Sequence, residues 1–164
     1  IAKIKSNPMK RAMRLDKVTI AALAAVLQLY TNPDTLVERV PTLRMLSRAQ
    51  ETIQRLATRL CPALQHYLGA NFDVTVEACD SQIGSGSLPM ARIPSAALVI
   101  RSNISKPKAS AEIRRLADTL RGLPCPIIGR TQDNALWLDL RCLEDEERFS
   151  AQLKTLNSSA EVSS

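Results

Sequence analysis

The spacing of the apolar residues changes at Gly69, and this change is the strongest constraint on the fold. Over residues 53–68, apolar side chains recur every three or four positions, which is typical of a helix with one buried face. Over residues 72–78, apolar and polar side chains alternate, as a half-buried strand requires. Helical patterns therefore come first and strand patterns second, and this order favours an α+β arrangement.

Capping signals predict where the earlier helices begin and end. Asp16 is a suitable N-cap for a helix over residues 17–30 that is apolar on nearly every side, the pattern of a buried helix. Ser47 and Gln50 match a capping box for the next helix, which Pro62 should kink and Gly69 should end. We therefore expect a buried linker helix, followed by an amphipathic one.

The sequence pattern of the second half of the chain predicts three more strands and two helices. An apolar run over residues 96–100 is a second strand, and residues 126–131 should pair with 135–141 as a hairpin around Asp133 and Asn134. One helical pattern covers residues 110–121. A last helix should start at the acidic residues 144–147 and run to about 153. Together these elements predict a small, mainly antiparallel sheet with helices packed on one face.

Composition and charge narrow the classes of protein to which this chain could belong. The 164 residues are 45% hydrophobic and 23% charged, which predicts a folded chain. No apolar run reaches the roughly 18 residues of a membrane helix, and the four cysteines lack metal-binding or redox spacing. We therefore predict a cytoplasmic protein with no membrane association and no metal site. The formal net charge of +6 favours an anionic partner such as RNA or a phosphate-bearing ligand.

Few patterns in the chain suggest chemistry. The single histidine, His66, falls off the apolar stripe of its helix, which predicts a solvated side chain. The segment Gly84, Ser85, Gly86 lacks the strand-to-helix frame of a dinucleotide site. We interpret it as a loop that needs glycine backbone freedom, with a phosphate-cradling role as the lesser alternative.

A basic connector is the better candidate for a binding site. Lys10, Arg11, Arg14 and Lys17 stand within one short segment. The three-residue spacing of Arg11 and Arg14 places both guanidinium groups on one side of a helical turn. Planar guanidinium forks bind phosphate-like oxyanions through two parallel hydrogen bonds. On pattern alone, a solvated cationic face is the favoured alternative.

Two further arginines, Arg130 and Arg141, lie on the predicted hairpin. Arg141 alternates with apolar leucines, so it should point away from the core, toward solvent, another domain or another subunit. An ion pair with Asp139 on the same face is an equally simple interpretation. The pattern does not choose between these possibilities.

Five blocks of sequence occur in order along almost all of residues 3–155. They are NPMKRAMRLDK (7–17), PTLRML (41–46), SQIGSGSLP (81–89), PIIGR (126–130) and LWLDLRCLEDE (136–146). Together they resemble bacterial selenocysteine synthase, the L-seryl-tRNA(Sec) selenium transferase family. Because the chain also begins without methionine and within a helical pattern, we interpret it as a C-terminal fragment of a longer enzyme.

The resemblance implies a particular parent fold. The family has fold type I of the pyridoxal 5'-phosphate (PLP) enzymes, an aspartate-aminotransferase-like α/β fold of which this chain would be an α+β fragment. Residues 1–32 would be the end of the large PLP domain with the buried linker helix, 33–156 the C-terminal small domain, and 157–164 a disordered tail. The family's PLP lysine lies upstream of residue 1, so no catalytic residue is expected here, and Lys17 would only begin its helix.

The resemblance also implies an activity. The family converts seryl-tRNA(Sec) to selenocysteinyl-tRNA(Sec) with PLP and selenophosphate, through an aminoacrylyl intermediate, and works as a homo-oligomer, a decamer. Arg11 and Arg14 match family arginines that help bind the anionic selenium donor, and Arg14 is the stronger candidate. Lys10, Arg130 and Arg141 are further candidates for substrate binding.

Two other functions stay open at this point. A related fold type I lyase or racemase acting on a free amino acid would need an arginine for the substrate carboxylate, so Arg130 or Arg141 in the cofactor pocket would favour it. A non-catalytic basic RNA-binding module would need aromatic side chains for stacking on a cationic face. The chain has few aromatic residues, and several of them lie on apolar faces.

Overall fold

The computed structural model describes residues 2–82, 92–104 and 106–160, and the chain divides into two compact units. The first unit is Ile1–Ser47 and the second is Arg48–Ser164. The helices over 33–47 contact each other and the helix before them, which places them in the first unit. The domain boundary after residue 32 stays a prediction. The predicted glycine loop, with Gly84, Ser85 and Gly86, lies outside the described residues.

The first unit is built from short helices. They are α1 (Ala2–Ser6), a 3-10 turn (Pro8–Arg11), α2 (Lys17–Leu29), α3 (Pro33–Arg39) and α4 (Pro41–Ser47). Asn7 caps the 3-10 turn by accepting a hydrogen bond from the Met9 amide at 2.8 Å. Asp16 caps α2, as predicted, by accepting from the backbone amide of Thr19 at 2.8 Å and from its hydroxyl at 2.9 Å.

The prediction that α2 is buried is wrong for this chain. No residue of α2 is buried, and apolar side chains on several sides are open to solvent, with Val18 79%, Ile20 53% and Leu27 56% exposed. A helix that is apolar all round becomes buried only when neighbours surround it, and within its own unit α2 packs with α3. The pattern correctly indicated the apolar character of the helix but not its surroundings.

The second unit is an antiparallel sheet with three helices in its described part. Its elements are α5 (Gln50–Leu68), β1 (Phe72–Gln82), β2 (Arg92–Ser102), α6 (Lys106–Arg121), β3 (Arg130–Gln132), β4 (Ala135–Asp139) and α7 (Glu146–Ala160). The strand order is β1-β2-β4-β3, and every neighbouring pair is antiparallel. The predicted small antiparallel sheet is confirmed. Helix α7 extends to Ala160, into the segment predicted as a disordered tail.

One face of the sheet carries the main core. Because side chains alternate along a strand, Val74, Leu98 and Leu136 point to the same side. There they join buried side chains of the three helices: Ile53, Leu60 and Leu64 of α5, Ile113 and Leu120 of α6, and Phe149 and Leu153 of α7. The predicted packing of helices on one face is therefore confirmed. None of the helices in the described ranges is both long and apolar enough to cross a bilayer.

The start of α5 differs from the prediction. Ser47 ends α4 and donates its hydroxyl to the Arg44 carbonyl at 3.3 Å, so it forms no capping box with Gln50. Gln50 instead donates its amide to the Ser95 carbonyl of β2 at 3.0 Å. A partner distant in sequence thus displaces the local cap. The predicted stop at Gly69 is confirmed by its left-handed backbone, with φ of 69°, and α5 passes through Pro62 before reaching it.

The β3–β4 hairpin turns at Asp133 and Asn134, as predicted. Both residues have positive φ, 53° and 58°, which is the backbone of a two-residue type I′ turn. This turn places Arg130 opposite Trp137 and Gln132 opposite Ala135. The strand before the turn is shorter than predicted, because only residues 130–132 pair with β4.

Gly129, just before β3, has no room for a side chain. A Cβ there would lie 2.7 Å from both Leu138 Cδ2 and the Trp137 carbonyl oxygen, and 2.8 Å from Leu136 Cδ1. The backbone atom belongs to β4 and cannot move without breaking the ladder. We therefore expect Gly129→Ala to lower the free energy of unfolding by about 1–3 kcal/mol, measured by urea denaturation.

The matched control for this change is Gly122→Ala. A Cβ at Gly122 would meet two helix carbonyl oxygens at 3.5 Å, which is ordinary contact. Its effect should stay within about 0.5 kcal/mol. Equal unfolding midpoints for the two variants would show that the close approach at Gly129 is not rigid.

Candidate functional site

The predicted basic connector forms a helical turn in the first unit. The Ala12 amide donates to the Met9 carbonyl at 3.0 Å, and the Arg14 amide donates to the Arg11 carbonyl at 3.4 Å. The turn therefore continues from Arg11 through Arg14. This turn meets the condition of the prediction, because residues three apart lie on the same side of such a turn.

The guanidinium groups of Arg11 and Arg14 are exposed and unneutralised. Among the residues that the structure describes, neither side chain contacts a carboxylate or donates a hydrogen bond. Lys10 differs, because its Nζ donates to the Lys5 carbonyl at 2.5 Å. The nearby Asp16 is occupied as a helix cap, and its hydrogen bonds from Thr19 lower the pKa of its carboxyl. The pair can therefore offer its full set of donors to an anion.

The lysines whose side chains the structure describes offer no enclosed attachment point for PLP. A lysine that forms a Schiff base is activated by burial or by a neighbouring cation. Every lysine whose side chain the structure describes is exposed, and Lys17 begins α2, as predicted. The described lysine side chains therefore do not fit a PLP attachment site.

Arg141 has the opposite environment, since it is only 3% exposed, so of the surroundings that the sequence left open, solvent is wrong. Its Nε donates to Ser81 Oγ at 3.2 Å, its Nη1 to the Arg48 carbonyl at 3.1 Å, and its Nη2 to the Pro94 carbonyl. These partners come from the ends of β1 and β2 and from Arg48, two residues before α5. Arg141 therefore joins three segments that are distant in sequence.

The Asp139 carboxylate completes this network. It accepts hydrogen bonds from the hydroxyls of Ser81 at 2.5 Å and Ser95 at 2.7 Å, and from the backbone amide of Arg141 at 3.0 Å. Its oxygens thus hold β1, β2 and the backbone of Arg141. In a buried site such partners are needed, because an unpaired charge or carbonyl is costly.

Sequence reasoning missed Arg48, which is the second arginine of this network. Its Nη1 lies 3.2, 2.8 and 2.7 Å from the carbonyl oxygens of Leu140, Arg141 and Leu143. Arg48 and Arg141 therefore each donate to the other's backbone. No sequence signal indicated this role. Arg48 stands just before a helix, where its pattern looks like that of an exposed residue, and its partners lie more than 90 positions away.

Arg130 lies on the other face of the sheet from the main core. Its guanidinium carbon is 5.5 Å from the centre of the Trp137 ring, within the range of a cation–π contact. Its Nη1 also donates to the Asp80 carbonyl at 3.4 Å. Unlike Arg141, Arg130 is exposed, so the two hairpin arginines have different surroundings and different potential uses.

The family of the chain follows from comparison with known proteins. Residues 1–144 match the model of the L-seryl-tRNA selenium transferases. The chain therefore belongs to this family of transferases, as its five sequence blocks predicted.

Two relatives show how far the similarity extends. The L-seryl-tRNA(Sec) selenium transferase of Klebsiella pneumoniae (strain 342) is 55% identical over 154 residues, covering 93% of this chain and 32% of the relative. The protein of the same name from Escherichia coli O139:H28 (strain E24377A / ETEC) is 52% identical over 153 residues, with the same two shares. The chain thus spans about a third of the length of the curated relatives it matches.

The Arg141 network should contribute strongly to the stability of the second unit. Arg141→Met removes the donors from buried carbonyl and hydroxyl oxygens, so we expect it to lower the free energy of unfolding by about 3 kcal/mol in urea denaturation. The control is Arg121→Met, because the Arg121 pair with Asp118 is exposed on α6 and should be worth less than about 1 kcal/mol. Similar losses for both variants would contradict a special role for Arg141.

The four thiols should differ in reactivity. Burial raises the pKa of Cys79 from 9.0 to about 11, with the Asp139 carboxylate adding to the effect, whereas Cys142 is exposed. At pH 8 roughly one Cys79 thiol in a thousand would then be ionised. Iodoacetamide should modify Cys142 well before Cys79, as followed by mass spectrometry of the digested protein.

The same shift has a consequence for stability at high pH. The folded state holds the Cys79 proton more tightly than the unfolded state, so this contribution is complete below about pH 9 and is lost as the pH rises through about 11. Cys79→Ser should weaken this alkaline loss in urea denaturation. Equal alkylation rates for Cys79 and Cys142 in the folded protein would contradict both expectations.

Proposed function

We propose that the chain is the C-terminal part of a PLP-dependent L-seryl-tRNA(Sec) selenium transferase, which makes selenocysteinyl-tRNA(Sec) from seryl-tRNA(Sec) with selenophosphate as the selenium donor. The observation that carries this proposal is the family match over residues 1–144. The names of relatives more than 50% identical over 93% of the chain support it. The enzyme would act in the cytoplasm as a homo-oligomer.

The architecture supports a division of labour within the parent enzyme. The second unit, an antiparallel sheet with helices on one face, suits the small domain of a fold type I PLP enzyme. The first unit, with its basic turn and apolar α2, suits the end of the large domain and the linker. PLP would supply the electron sink for the serine chemistry, and the lysine that holds it would belong to the part of the enzyme outside this chain.

Within this proposal, Arg11 and Arg14 bind the selenium donor. Selenophosphate is a small oxyanion, and two neighbouring guanidinium groups can hold it through charge-assisted, bidentate hydrogen bonds. Their side chains share one helical turn and are not neutralised by any carboxylate in the described residues. Binding there would fix the donor and leave its selenium free to meet the activated serine.

The alternatives are weaker on the geometry of the second unit. A lyase or racemase acting on a free amino acid would need a free arginine for the carboxylate, whereas Arg141 is buried and committed to protein oxygens. A stacking RNA-binding module would need an open aromatic face, whereas the Trp137 ring lies beneath Arg130.

Replacing Arg14 in the full-length enzyme tests the proposal. Loss of one charged, bidentate contact costs about 1.5–3 kcal/mol, so Arg14→Ala should lower kcat/KM for selenophosphate about 10- to 100-fold. The PLP absorbance of the enzyme should be retained. The kcat/KM of Arg14→Lys should lie between those of the unmodified enzyme and Arg14→Ala, because lysine keeps the charge but lacks the planar guanidinium fork.

The control for this experiment is Arg39→Ala, which removes an exposed arginine at the end of α3. Its selenium transfer should match that of the unmodified enzyme. Unchanged transfer in Arg14→Ala would remove Arg14 from the donor site. Absence of any selenium transfer by the unmodified full-length protein, with PLP bound, would refute the proposed activity itself.

A further inference from the structure

A polar pocket connects the two opposite edges of the sheet in the second unit. It has a volume of about 280 Å³ and is lined by Asp80 and Gln82 of β1, Arg92 of β2, and Arg130 and Gln132 of β3. Strand β2 pairs with β4 only over residues 97–101, so the β1–β2 hairpin continues beyond β4. Its extension curls over the sheet, because the Asp80 carbonyl on one edge reaches Arg130 on the other at 3.4 Å.

The charge of this pocket is positive. Its lining includes two guanidinium groups and one carboxylate. The Arg92–Asp80 ion pair is long, at 3.9 Å, and both side chains are largely exposed, at 70% and 49%. Such a pair contributes little and leaves the arginine available for a stronger partner. Asp133 accepts a hydrogen bond from the Gln132 amide at 3.1 Å but is not part of the lining.

Arg130 is held in position without being neutralised. The Trp137 ring supports its guanidinium at 5.5 Å, and the Asp80 carbonyl accepts one of its hydrogens. Neither contact removes the positive charge, and most of the planar fork stays available. The residues beneath Arg130 and Trp137, which are Ala97, Val99 and Ala135, are buried, so this side of the sheet supports both side chains from below.

We propose that this pocket binds a phosphodiester group of the tRNA substrate, an inference that rests on the proposed function. Two guanidinium groups with neighbouring amides match the oxyanion of a phosphate in charge and hydrogen-bonding geometry. Arg92 and Arg130 lie at the surface, where a macromolecule can reach them. One exposed anion site binds a free phosphate weakly, but it becomes effective as one of several contacts along a polyanion.

The same geometry indicates contact with the RNA backbone and not with a base. Base recognition on a sheet requires an aromatic ring open for stacking, and the Trp137 ring is covered by Arg130. Phosphate contacts position a nucleic acid without reading its sequence. The pocket would therefore help to orient the tRNA on the small domain, while recognition of this particular tRNA lies elsewhere.

The test is the salt dependence of tRNA binding to the full-length enzyme. Arg92→Gln and Arg130→Gln should each weaken binding of seryl-tRNA several-fold at low salt. Each should also reduce the slope of log K against log salt concentration by about 0.7–0.9, the value for one lost phosphate contact. Arg130→Lys keeps the charge and should keep most of the slope, which separates charge from packing on Trp137.

Arg121→Gln is the control, because it removes an exposed arginine of α6 outside the pocket. It should leave both affinity and slope unchanged. If Arg92→Gln and Arg130→Gln also leave the slope unchanged, the pocket does not contact tRNA. In that case, retained selenium transfer would keep the proposed function intact while this inference fails.

A second experiment uses inorganic phosphate to test whether the ligand of the pocket is a small anion or RNA. Because phosphate can also bind at Arg11 and Arg14, the calorimetric titration compares Arg14→Ala with the Arg14→Ala, Arg130→Gln double variant, and only weak, millimolar binding should be lost on adding Arg130→Gln. Tight phosphate binding lost in Arg130→Gln, together with an unchanged tRNA slope, would assign the pocket to a small anion and overturn the proposal. A reduced tRNA slope in an enzyme that transfers no selenium would support the pocket and count against the proposed activity.

Discussion

The second unit depends on a buried guanidinium at the end of β4. Arg141 is shielded from water and donates to Ser81, Pro94 and Arg48, while Asp139 holds its backbone and the hydroxyls of Ser81 and Ser95. Because a buried charge is tolerated only with partners in place, the start of α5, the end of β4 and the extended β1–β2 hairpin must form together. The hydrogen bonds of Arg141 in this network are thus structural.

The two faces of the sheet have separate tasks. One face is covered by α5, α6 and α7 and provides most of the buried apolar surface. The other has a smaller apolar cluster, around Val99 and Trp137, beneath Arg130 and the curled hairpin. Placing stability on one side leaves the other free to present charge. If both proposals hold, the chain would bind anions through the Arg11 and Arg14 pair of the first unit and the Arg130 pocket of the second.

The predictable features were those set by short-range patterns. Periodicity located α5, β1 and the main face of the sheet, and residue type alone located the turn at Asp133 and Asn134. The spacing of Arg11 and Arg14 likewise predicted their shared side of a turn. The failures have one cause, which is partners far away in the chain: Gln50 leaves its local cap for Ser95, and Arg141 is covered by segments 47 to 93 positions away. The exposure of α2 depends on neighbours that its own pattern cannot specify.

The tight turn between β3 and β4 also restricts how this region can diverge. Its two left-handed residues set the pairing that places Arg130 across from Trp137. Side chains change face at every position of a strand, so inserting or deleting one residue there would move Arg130 to the opposite surface. Length changes should therefore be rarer in this loop than substitutions, and where they occur in related sequences, the arginine should shift in step.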